Sequence, residues 1–248
     1  MTALESFPPQ TRVAVIGASG GIGQALVALF ESDPQVERVF ALSRTPCPVS
    51  SPKITHGELD LQSEASIASC AASFPSDSPL DIVVVATGIL WSGEQLRPEK
   101  SMRELDIDKL AKVFAVNATG PALVAKHFLP TLRKGSKTVF AALSARVGSI
   151  GDNRLGGWYA YRASKAALNM LLKTLSIEHA RQWPQSAIVG LHPGTVNTEL
   201  STPFTKRTPP EKLFSPAISA GHLLKVLDGV TAEDSGGVFA WDGKRVEN

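Results

Sequence analysis

The chain has 248 residues, 43% of them hydrophobic, with 25 Lys and Arg against 23 Asp and Glu and a formal net charge of +2. It can bury a substantial core, and its balanced charge, without a long run of either sign, excludes the footprint of a nucleic-acid or acidic-membrane binder and favours a small-molecule partner. Two cysteines, Cys47 and Cys70, without a Cys/His cluster at metal spacing, exclude a structural zinc and fit a reducing compartment; residues 1–10 lack a basic segment followed by an apolar stretch and no apolar run reaches about 18 residues, so neither a signal peptide nor a membrane span is expected, and the expected location is the cytoplasm.

In chain order, Arg12 to Ile16 is a short β-branched run that stops at Gly17-Ala18-Ser19-Gly20-Gly21-Ile22-Gly23, and Gln24 to Glu31 reads as helix. Glycines between a strand and a helix let backbone N–H groups approach a phosphate at the positive end of the helix. A tight turn is the plain alternative, but the flanking strand and helix favour a dinucleotide loop. Its spacing is GxxxGxG, not the GxGxxG of the best-known fingerprint. Arg38 to Leu42 reads as a second strand ending in Ser43-Arg44. An acidic residue there would hold the ribose hydroxyls of NAD, whereas Arg suits a 2′-phosphate, so NADP is expected in preference to NAD; an ordinary solvated loop Arg is the plain alternative.

Residues 45–52, with three prolines, read as loop, and Lys53 to Leu59 as a third strand running into Asp60-Leu61. The Asp60 carboxylate either accepts from an adenine amino group or caps the helix expected from about Ser63. Leu80 to Ala86 is a predominantly apolar run of strand length, the sign of a buried parallel strand, and it ends in Thr87-Gly88. Ligands on open α/β sheets bind along that edge. Ile107 to Leu132 has helical spacing interrupted at residues 117–121. Pro121 donates no bond to the carbonyl of Asn117, which leaves that carbonyl free to hold a water, or simply kinks the helix.

Lys137 to Leu143 reads as a fifth strand ending in Ser144, and 17 residues later comes Tyr161, within reach through a glycine-rich loop. The helical run from Trp158 to Arg181 carries Tyr161 and Lys165 four apart, on one face. A cation beside a phenol favours the phenolate and would lower its pKa toward the range of a general acid or base. The same helix is apolar around much of its circumference, so it is expected to be covered on more than one side. Ala187 to Leu191 reads as a sixth strand leading to Pro193-Gly194, residues 195–215 as a polar, proline-rich lid, Pro216 to Leu227 as a last helix and Val238 to Trp241 as a last strand. Neither repeat nor linker interrupts the chain, so residues 1–248 are expected to form one domain.

The glycine loop, Asp60, Gly88, Asn117, Ser144, Tyr161-Arg162-Ala163-Ser164-Lys165 and Pro193-Gly194, in this order and spacing, resemble the short-chain dehydrogenase/reductase family over nearly the whole chain. Within it the stretch from Ser149 to Tyr159 is most similar to the carbonyl reductases grouped with the C-factor and sniffer proteins. Ile16 departs from the Thr usual in the family, and Val85-Ala86-Thr87-Gly88 from its usual Asn-Asn-Ala-Gly. The resemblance implies an α/β fold, a three-layer Rossmann architecture whose doubly wound parallel sheet has about seven strands. It implies hydride transfer between NADP and a small carbonyl or alcohol, with Tyr161 as proton donor, Ser144 on the same oxygen, Lys165 lowering the Tyr161 pKa and binding ribose, and Asn117 holding a water. Cofactor contacts are implied at Gly17, Ser19, Gly21, Ile22, Gly23, Ser43, Arg44, Asp60, Leu61, Ala86, Thr87, Gly88, Tyr161, Lys165, Pro193, Gly194, Val196 and Thr198, with no metal. Leu90, Trp91, Ile150, Trp158 and Phe204 are expected to make the substrate pocket partly apolar. A homodimer or homotetramer is implied as well. Reduction of 3-oxoacyl or steroid substrates, and a dinucleotide-binding signalling protein without turnover, are the alternatives.

Overall fold

The computed structural model describes residues 4–206 and 208–247. Its centre is a seven-stranded sheet built from β1 (Thr11–Ile16), β2 (Val36–Leu42), β3 (Ile54–Gly57), β4 (Ile82–Val85), β5 (Thr138–Leu143), β6 (Ser186–His192) and β9 (Val238–Ala240). The spatial order is β3-β2-β1-β4-β5-β6-β9, and every pairing is parallel. The order reverses between β1 and β4. Connections run to opposite faces on either side of that point, so a crevice opens at the strands' C-terminal ends.

Alternation along the strands separates two cores. Val13 and Val15 of β1 face one layer, where α1 (Gly21–Ser32) contributes Leu26 and Phe30 and α6 (Pro216–Gly229) contributes Leu223 and Leu227. Ala14 and Ile16 face the other, made by α2 (Glu64–Ala72), α4 (Gly120–Phe128) and α5 (Tyr159–His179). Strands β4 and β5 are buried along their whole length, the consequence of helices on both faces.

Asp81 lies just before β4 and is fully buried, with Arg133 Nε 2.6 Å from its Oδ1 and the Arg12 backbone N–H donating to its Oδ2 at 2.9 Å. This carboxylate ties three segments together at the sheet edge away from the crevice. The helix expected over residues 107–132 is not broken at Pro121. It runs as α3 (Ile107–Phe114), a π-helical turn at Ala115–Thr119, and α4. Gly120 N–H reaches back five residues to Ala115 O, so the wider turn carries the chain past a proline that has no N–H to give. Between β6 and α6 the chain forms a small parallel pair, β7 (Thr195–Val196) with β8 (Leu213–Phe214), enclosing two short 3-10 turns.

Candidate active site

The loop between β1 and α1 is shaped by close approaches that exclude side chains. Gly17 has φ +85°, and a Cβ there would lie 2.7 Å from Thr87 Cγ2. A Cβ at Gly23 would run into Gly17 O, so Gly23 closes the loop on itself and lines no cavity at this edge. Ser19 and Gly21 are left facing the crevice at the N-terminus of α1, where no acidic side chain occupies the first turn. Unpaired N–H groups and the helix dipole make this end attractive to a phosphate.

One cavity of about 490 Å³ lies beyond that loop, walled by Gly17, Ser43, Arg44, Asp60, Leu61 and Ala86 among others. Arg44 is exposed and makes no hydrogen bond or ion pair among the described residues. Ser43 is buried, and its hydroxyl donates to Thr45 O at 2.5 Å at the wall of this cavity. Thr45 lines this cavity beside Arg44. Asp60 does not cap α2. Ser63 caps α2 by accepting Ser66 N–H, whereas Asp60 Oδ1 accepts Gln62 N–H at 3.0 Å in a local turn.

A second cavity of about 640 Å³ continues from the glycine loop past Thr87 and Gly88 to Ser144, Tyr161 and Lys165. Lys165 is 2% exposed and Nζ donates to Leu143 O at 2.6 Å, with the Tyr161 ring centroid 5.9 Å away. Asn117 is fully buried and acts as a clamp. Its Nδ2 donates to Ile89 O at 2.9 Å and Ser164 Oγ at 3.1 Å, and its Oδ1 accepts Ile89 N–H at 2.8 Å. The π-helical turn therefore places a side chain that joins the loop after β4 to α5 immediately beside Lys165.

Electrostatics in this cluster run against the expectation that Lys165 lowers the Tyr161 pKa. Burial pushes the phenol up, to about 12, and pushes Lys165 down, to about 7. Among the described residues no carboxylate compensates either group, and desolvation disfavours the charged form of each. Tyr161 is accordingly a protonated phenol at neutral pH.

The N-terminus of α5 is held from a distance. Trp158 adopts a left-handed conformation (φ 53°, ψ 44°), its N–H donates to Glu99 O at 2.5 Å, and Glu99 Oε2 accepts Ala160 N–H at 3.2 Å. A buried carboxylate thus takes the place of an N-cap and faces the positive end of the helix that carries Tyr161. Nothing local in the sequence marks Glu99 for that task.

A third chamber, about 290 Å³, adjoins the second and is walled by Leu90, Val147, Trp158, Leu200 and Phe204. Trp158 meets Phe204 edge to face at 5.1 Å. Of the expected pocket residues, Trp91 instead donates its indole N–H to Glu199 O at 3.0 Å, anchoring the 195–215 segment, and Ile150 is 78% exposed. Gly194 and Val196 face this chamber rather than the dinucleotide-sized cleft, whereas Ile22, Pro193 and Thr198 border both. His192 was not singled out from the sequence; it lines the chamber with a buried Nδ1 lacking a partner, and burial, reinforced by the Arg146 charge, pushes its pKa down to about 4. It is a neutral imidazole at physiological pH.

The first two cavities form an elongated cleft along the switch point, with a glycine cradle, a helix N-terminus, a free Arg and the orphaned, buried hydroxyl of Thr87. Those features fit a dinucleotide. No group of three or more His, Cys, Asp or Glu side chains that could hold a metal occurs among the described residues. A sequence profile described as short chain dehydrogenase matches residues 11–209. C-signal of Myxococcus xanthus is 34% identical over 171 residues, covering 68% of this chain and 92% of that protein. An NADPH-bound carbonyl reductase from chicken fatty liver superimposes with a TM-score of 0.82 at 26% identity, covering 98% of this chain and 97% of that one. Carbonyl reductase Sniffer of Drosophila melanogaster, at 23% identity, has the same fold, with a TM-score of 0.83 over 97% of this chain and 100% of that one. The sheet order, the cleft and these likenesses agree: the chain belongs to the short chain dehydrogenase family of oxidoreductases.

Proposed function

We propose that this oxidoreductase reduces a carbonyl group on a small, partly apolar molecule at the expense of NADPH. The single observation that carries the reading is that Ser144 and Tyr161 border both the elongated cleft and the apolar chamber. A carbonyl entering the chamber meets two hydroxyl groups at the boundary of the cleft. When bound, the nicotinamide supplies the hydride. Gly17, Ser19, Gly21, Ile22, Thr87, Gly88, Pro193 and Thr198 hold the dinucleotide, with Lys165 at the nicotinamide ribose, Asp60 and Leu61 at the adenine and Arg44 at the 2′-phosphate. Tyr161 donates its phenolic proton to the oxygen on which negative charge develops, and Ser144 hydrogen-bonds the same oxygen. Donors already aimed where charge appears stabilise the transition state more than the ground state. The raised Tyr161 pKa keeps its proton in place for this direction of reaction.

The whole chain acts as one domain in this reading, and residues 195–215 serve as a lid. Trp91 on Glu199 O and Trp158 against Phe204 are the contacts that support a closing role. We place the protein in the cytoplasm on the strength of its two free thiols, and no helix among the described residues is long and apolar enough to cross a membrane.

The test is consumption of NADPH with a panel of quinones, aldehydes, diketones and acyl thioesters. Turnover of apolar or aromatic carbonyls is expected. Binding of NADPH without turnover of any of them would instead favour the non-catalytic signalling protein, and selective turnover of acyl thioesters would favour the 3-oxoacyl reductase.

A second proposal concerns assembly. Along α5 the residues turned away from the core include Ala163, Met170 and Ile177, the latter two 67% and 55% exposed. An apolar stripe of this kind on an otherwise packed helix is expected to be covered by a second copy, giving a homodimer or homotetramer. Light scattering is expected to report two or four times the 26.3 kDa of one chain. A single-chain mass across a wide concentration range would refute it.

A further inference from the structure

Ser144 has one hydroxyl hydrogen, and in the structure it is committed to a side chain of α5. Ser144 Oγ donates to Asn169 Oδ1 at 2.6 Å, and both residues are buried. Asn169 stands on α5 one turn beyond Lys165 and two beyond Tyr161, so one helix face carries all three. A substrate carbonyl oxygen has only lone pairs to offer. Ser144 can bind it only after its hydrogen has left Asn169.

A carboxamide can release that hydrogen without losing the bond. It carries an acceptor and a donor, and a half-turn about its last torsion exchanges them. With Nδ2 toward Ser144, Asn169 donates to Oγ and the hydroxyl hydrogen turns to the substrate. Asn169 makes no other side-chain hydrogen bond among the described residues, so the half-turn breaks none. Aspartate could only accept, and leucine could do neither.

We propose that Asn169 is a positioning residue that sets the direction of the Ser144 hydroxyl, accepting its hydrogen in the empty chamber and donating to its oxygen when a carbonyl is bound. The proposal rests on the reading of Ser144 as a ligand of the substrate oxygen. It acts through Ser144 alone, and that gives it a signature which a general packing role lacks.

The experiment is a double-mutant cycle in carbonyl reduction, with kcat, NADPH affinity and melting temperature measured for the wild type, Asn169→Leu, Asn169→Asp, Ser144→Ala and Ser144→Ala/Asn169→Leu. Asn169→Leu and Asn169→Asp are each expected to lower kcat by about tenfold, the loss of one hydrogen bond's worth of orientation, with NADPH affinity unchanged. In the Ser144→Ala background, adding Asn169→Leu is expected to lower kcat no further, because its partner is gone. Asn169→Asp is nearly isosteric and keeps the proposal testable where Asn169→Leu fails to fold. An equal loss from Asn169→Leu in both backgrounds would overturn the proposal, as would wild-type kcat in both Asn169 variants beside an impaired Ser144→Ala. Undiminished kcat in Ser144→Ala would overturn the reading of Ser144 itself, and the proposal with it.

Discussion

Tyr161→Phe is expected to lower carbonyl reduction by a hundredfold or more, on the order of what a positioned general acid contributes, while NADPH affinity stays close to that of the wild type. The substitution removes one oxygen and leaves the ring, so the edge-to-face contact with Trp158 at 6.3 Å is kept. Lys165 is not orphaned either, because its Nζ bonds Leu143 O rather than the phenol. What disappears is the proton that burial holds on Tyr161 by raising its pKa to about 12. Ser144 remains to bind the oxygen but cannot replace the lost acid while its hydrogen serves that bond. Steady-state kinetics beside a fluorescence titration with NADPH separate the two effects. A variant that turns over as fast as the wild type would end the assignment of Tyr161 as proton donor.

Arg44→Ala is expected to weaken NADPH by roughly tenfold to a hundredfold and to leave NADH almost unaffected, the range set by one or two charge-assisted hydrogen bonds to phosphate. Arg44 is the residue that ends the second strand's turn into the cleft, it lines both large cavities, and no carboxylate among the described residues pairs with it. A guanidinium in that condition is available to a 2′-phosphate and has nothing to lose by engaging one. Ser43 already donates to Thr45 O, which leaves Arg44 as the uncommitted donor of the pair. Arg44 is therefore the residue on which we propose the discrimination chiefly depends. Affinities for both cofactors in the wild type and the variant decide the matter: a wild type that prefers NADH, or a variant that loses both equally, would reduce Arg44 to a solvated loop residue.

The short chain dehydrogenase profile covers residues 11–209, which takes in the glycine loop, Ser144, Tyr161, Lys165 and Pro193. It stops before α6 and β9. Those last elements complete the sheet and supply Leu223 and Leu227 to the core beneath α1, but the proposed chemistry does not draw on them.

The elements that could be read from the sequence are those whose cause is local. Buried β-branched runs such as Val83 to Val85 announce a strand whatever surrounds them, the four-residue step from Tyr161 to Lys165 is set by the pitch of a helix, and glycines at 17 and 23 mark a backbone approach too close for a Cβ. Because a parallel sheet puts its strand ends on one edge, the same local signals also assembled most of the site. What only the tertiary structure decided depends on partners distant in the chain or on burial. The proline at 121 could be placed in advance, but not that the helix would widen into a π turn and turn Asn117 into a clamp on Ile89 and Ser164. Glu99 at the head of α5, Asp81 beneath Arg133 and Asn169 against Ser144 are pairings of 61, 52 and 25 residues' separation, and no periodicity spans such distances. The direction of the Tyr161 shift lay equally out of reach. Spacing puts a cation beside the phenol and so argues for a lowered pKa, but the outcome is the balance between that attraction and the cost of taking both groups out of water, and only the packed fold sets how much water is lost.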